Sequence, residues 1–109
     1  MTNTRFVGTI AVLDVHGALE ADSGLRQAIR LAIDNGARTI IVNLESVTAI
    51  DSSGVSQLAS AHMTVVNSGG RLKLCNLSRK LTAVFAVTRL NAVFDAYDTE
   101  ADAVASADS

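Results

Sequence analysis

Ile40-Ile41-Val42, with Leu44 closing the run, lies between two segments whose apolar residues recur at every third or fourth position. The run is β-branched and of strand length, so it reads as a strand covered on both faces. Before it, Leu25, Ala28, Ile29, Ala32 and Ile33 mark one face of a helix that Asn35-Gly36 stops. After it, Val55, Leu58, Ala59, His62, Val65 and Val66 mark a second helix, over 53–67, that ends at Gly69-Gly70. Joints this short leave little choice of topology. Strand–helix–strand units with tight connections lay their strands parallel, through right-handed crossovers.

The remaining segments extend that plan. Between Arg5 and Val15 the apolar residues alternate loosely around Gly8-Thr9, which predicts a short edge strand, a tight turn and a longer strand ending at Gly17. Residues 18–23 read as a loop leading into the first helix. A third parallel strand is expected over 71–75, then a helix over 77–88 with Leu81, Val84, Phe85 and Val87 inward. A weak strand over 91–95 and a polar, alanine-rich helix over 100–105 complete the chain. The order β-β-α-β-α-β-α-β-α predicts one domain over 1–109: an α/β fold with a single, mostly parallel sheet and an antiparallel N-terminal edge. Asn43 is expected to be the one polar residue inside the central strand, hydrogen-bonded to a neighbouring loop.

Composition narrows the function. The formal charge is −2 and the cations are scattered, which argues against a nucleic-acid partner. No apolar run is long enough to span a bilayer, and no signal-peptide pattern opens the chain, so no membrane partner and a cytoplasmic location are expected. The single cysteine, Cys75, lies in the apolar run Leu72-Lys73-Leu74-Cys75 and reads as a small buried hydrophobe. Aromatic residues are 4% of the chain, so the core must be built from Val, Leu, Ile and Ala.

The chemistry gathers after the central strand. Asp51-Ser52-Ser53-Gly54 falls where the second helix begins, and Asp and Ser are good N-cap types. Beyond capping, a hydroxyl over free backbone N–H groups, at the positive end of a helix dipole, is a prepared seat for an added phosphate. Other chemistries fail on pattern. His16 and His62 belong to no spaced ligand set, so neither a metal nor a cofactor is expected. Neither serine has a glycine two residues before it, which excludes the nucleophile elbow. No general base stands at a credible spacing, so no enzyme activity is expected. Gly69-Gly70 follows a helix instead of opening one, so it is not a phosphate loop. Asp14, Glu20, Asp22, Glu45 and Asp51 all fall at strand ends or loops. Glu20 and Asp51 become neighbours if their two segments pair side by side.

Taken together, these residues resemble the STAS-domain family of bacterial anti-sigma factor antagonists. Asp51-Ser52-Ser53-Gly54 is similar to the family's phosphorylation loop, and Gly17-Ala18-Leu19-Glu20 to its Gly-x-Leu-Asp. Val42-Asn43-Leu44 resembles its central strand and Gly69-Gly70-Arg71-Leu72 its turn into the next strand. Glu20 departs from the family by one methylene where aspartate is common.

The resemblance implies that Ser52, the first serine after the aspartate, is the phosphate acceptor. It implies a partner-binding surface of Glu20, Asp51, Ser52, Ser53 and Gly54, with Ser53 capping the helix or lying in its first turn. The implied partners are an anti-sigma factor serine/threonine kinase, sequestered so that a sigma factor is released, and a serine phosphatase. The chain itself would be a monomer or weak homodimer and a regulator of transcription. A stand-alone STAS subunit of a transporter, for example for lipid, or a signalling scaffold without a phosphoswitch would share the same fold.

Overall fold

The computed structural model describes residues 2–19 and 24–107, with the side chain of Asn91 excepted. Strand β1 (Thr2–Val7) turns back antiparallel onto β2 (Ile10–Val15), with Val7 opposite Ile10. Gly8 takes φ 64° at the first of the two loop positions, where a glycine-led two-residue turn requires a positive angle. Helix α1 (Leu25–Asp34) leads to β4 (Thr39–Asn43), α2 (Ser52–Asn67) to β6 (Arg71–Cys75), and α3 (Arg79–Thr88) to β7 (Asp95–Tyr97). A terminal helix, α4 (Glu100–Ala107), follows. The main sheet runs β1-β2-β4-β6-β7, parallel except at the β1 edge. This is the expected fold class, with β4 at its centre.

The sheet is covered unequally. Ile40 and Val42 point into a large core with Leu13, Leu58, Val65, Leu74 and Phe85 beneath α1, α2 and α3. Ile41, on the opposite face, joins a small cluster with Val12, Cys75 and Ala103 of α4. Strand alternation explains why both isoleucines are fully buried yet belong to different cores.

Four local expectations are corrected. Gly17–Leu19 is a strand, β3, which pairs in parallel with β5 (Val47–Ile50), a segment expected to be loop. At three and four residues, both are too short for periodicity to reveal. The last strand lies at Asp95–Tyr97, after a 3₁₀ turn at Leu90–Ala92. Val87 is 84% exposed, since α3 buries only Leu81 and Phe85. On α2 the buried stripe is Gly54, Leu58, Ala61 and Val65, leaving Ala59 and Val66 outside.

Asn43 is buried and fully engaged, as expected. Its amide donates to Asp14 Oδ1 at 3.1 Å, and its Oδ1 accepts from the Glu45 amide and the Asn76 side chain. A second buried polar residue lies outside the central strand. Lys73, on the α4 face of β6, is just 4% exposed.

Candidate functional site at the start of α2

Asp51 is the last extended residue before α2, with φ −112° and ψ −176°. Its carboxylate therefore overhangs the first turn, where Oδ1 accepts from the Gly54 amide at 2.8 Å and the Ser53 hydroxyl at 2.6 Å. These two donors, the hydroxyl above all, hold the Asp51 carboxyl below the ordinary carboxylate range. Asp51, not Ser53, is thus the N-cap. Ser53 is already the second helical residue, so its hydroxyl braces the cap instead of replacing it. Ser52 is the first helical residue and exposed, while Ser53 is half-buried.

Gly54 fixes where this turn sits. A Cβ there would lie 2.0 Å from the Leu19 carbonyl oxygen and 2.8 Å from its carbon. The start of α2 is therefore pressed onto the backbone at the end of β3, a contact that only glycine permits. β3 and β5 bring Leu19 opposite Ile50, the residues that immediately precede Glu20 and Asp51 in the chain. Glu20 itself lies outside the described residues.

Asp51, Ser52, Ser53 and Gly54 thus form one turn with a rigid cap and one outward hydroxyl. Two other candidates, His62 and Cys75, pack within the fold. The His62 ring packs edge-on against Phe94, with centroids 5.3 Å apart. Burial pushes the Cys75 thiol up to about 12, which suits an inert packing group. Among the described residues no three His, Cys, Asp or Glu side chains gather as a metal-holding group, and no helix is long and apolar enough to cross a membrane.

A model of the STAS domain matches residues 2–103. The chain belongs to the STAS-domain family. Among solved STAS structures, the anti-sigma factor antagonist SpoIIAA in its unphosphorylated form is 28% identical, with TM-score 0.74, over 98% of this chain and 97% of that one. SpoIIAA of Bacillus is also known in a phosphorylated form. An anti-sigma factor antagonist from Mycobacterium paratuberculosis shares the fold at TM-score 0.84 and 20% identity, covering 97% of this chain and 92% of that one. A sulfate transporter family protein from Wolinella succinogenes does so at 0.80 and 17%, covering 95% and 89%.

Proposed function

We propose that this STAS domain is an anti-sigma factor antagonist whose binding is switched by phosphorylation of Ser52. The observation that carries this reading is the exposed Ser52 side chain on the first residue of α2, beside a cap that holds the turn in place. Support also comes from SpoIIAA, an antagonist known in both unphosphorylated and phosphorylated forms. The partner is an anti-sigma factor serine/threonine kinase, and a serine phosphatase resets the switch. The protein acts as a one-domain binding module in the bacterial cytoplasm, a substrate rather than a catalyst. Its docking surface is built from Asp51 to Gly54 together with Glu20.

Phosphate at Ser52 adds about −1.5 to −2 charges. Within the protein the helix N-terminus offsets this by about 0.3–1 kcal/mol. In a closed interface the same charge meets Asp51 and loses its water, so the complex is destabilised far more than the fold. The test combines mass spectrometry of the protein from its own cells with affinities of Ser52→Ala and Ser52→Asp for the kinase. Phosphate on Ser52, retained binding by Ala and weakened binding by Asp are expected. Equal affinity of all three forms for every candidate kinase would overturn the switch and favour a transporter subunit, whose fold the Wolinella protein shares.

A further inference from the structure

At the rim where β4 and β6 begin, a cleft of about 300 Å³ opens beside the end of α4. Its lining includes Arg38, Thr39, Gly70, Arg71, Lys73 and Ser106. Three of the nine cations in the chain meet here, and among the described residues no carboxylate lines the cleft. The register explains the convergence. Thr39 stands opposite Arg71 and Ile41 opposite Lys73, so strand alternation turns Thr39, Arg71 and Lys73 to the α4 face. Gly70 closes the turn against the Arg38 carbonyl, from which a Cβ would lie 2.5 Å.

Lys73 is the unusual member, because a buried ammonium ordinarily sits against a carboxylate. Its Nζ donates to the Tyr97 hydroxyl at 3.2 Å and lies 5.2 Å from that ring's centroid. Neither partner carries a full negative charge. Asp95, its register partner on β7, is exposed and forms no ion pair with it. Hydrogen bonds from Ser106 and Lys73 hold the Tyr97 phenol below its ordinary range. Among the described residues, the carboxyl end of α4 adds about half a negative charge on this side.

We propose that this cleft binds a small, multiply charged phosphate group, at the opposite end of the strands from Asn43 and its carboxylate neighbours. Arg38 and Arg71 would hold its outer oxygens, and Lys73 would meet it from below. The site is independent of the Ser52 switch. The experiment titrates inorganic pyrophosphate into the isotope-labelled full chain and follows backbone amides by NMR. Saturable shifts are expected at 38–39 and 69–73, weaker with acetate at equal ionic strength. The exposed-residue variant Arg38→Gln/Arg71→Gln should lose at least about tenfold in affinity, as removal of charge-assisted bonds predicts. Lys80→Gln, an exposed cation on α3, should change nothing. Lys73→Met adds a second reading, since pyrophosphate should raise the melting temperature of wild type but not of this variant. Sedimentation with phosphatidylglycerol vesicles separates the sources. Arg71-dependent pelleting assigns a lipid headgroup, and retention in the supernatant assigns a free phosphate compound. The proposal falls if shifts do not saturate, if they spread equally over all cationic segments, or if the double variant binds as wild type does.

Discussion

At the residue scale, two adjacent serines and the aspartate before them share one helix start yet do different jobs. The division follows from backbone angle: Asp51 is extended and reaches over the turn, whereas Ser52 and Ser53 are already helical. Asp51→Ala should therefore lower the melting temperature, because the Gly54 amide and the Ser53 hydroxyl both lose their acceptor. Ser52→Ala should leave it nearly unchanged. The effect has a pH signature. The folded-state Asp51 carboxyl titrates below the ordinary carboxylate range, so its contribution is present above the unfolded carboxylate's pKa and is lost as pH falls through the lower folded one. Asp14, held low first by Arg5 and also by Asn43, behaves the same way. Thermal melts from neutral pH downward should show the gap between wild type and Asp51→Ala closing only in this acid range. A gap that does not depend on pH there would contradict the cap assignment.

At the scale of elements, the second small sheet decides where the site stands. β3 and β5 are short, and their hold on α2 runs through the contact of Gly54 with the Leu19 backbone. Backbone cannot rotate away from an added methyl as a side chain can. Gly54→Ala should cost about 1–3 kcal/mol or more in urea unfolding, and should also weaken partner binding by displacing the turn that carries Ser52. Ala59→Ser, on the exposed side of the same helix, serves as the control and should stay within about 0.5 kcal/mol of wild type. If Gly54→Ala unfolds as wild type does, the helix start is not fixed by this approach.

At the scale of the molecule, the sheet has a thick side and a thin one. Ile40 faces the core under three helices, and Ile41 faces α4 alone. The two are adjacent, of one type and equally buried, so their comparison isolates the surroundings. Removing atoms from a well-packed interior leaves a cavity, whereas one short helix can settle into the gap. Within the range of about 2–5 kcal/mol for Ile→Ala, Ile40→Ala should fall near the top and Ile41→Ala near the bottom. Denaturant midpoints of the two variants give the order directly. Equal losses would mean that α4 is held as rigidly as the other helices, through ties such as the Arg5 pairs with Asp14 and Glu100.

The sequence alone determined the central strand, the helix on either side and the parallel order, because β-branched runs, 3.6-residue periods and glycine stops are local signals. It also placed Asp51, Ser52, Ser53 and Gly54 together at a helix start, since adjacency in the chain is adjacency in space there. What only the tertiary structure decided depends on partners distant along the chain. β3 and β5 exist because they pair with each other across an intervening helix and strand, and neither is long enough to show a period. Asp51 won the cap over Ser53 through a backbone angle, which composition does not encode. The cleft of Arg38, Arg71 and Lys73 is the clearest case. These cations look scattered along the chain, and become neighbours only when parallel register sets Thr39 beside Arg71 and Ile41 beside Lys73 next to the end of α4.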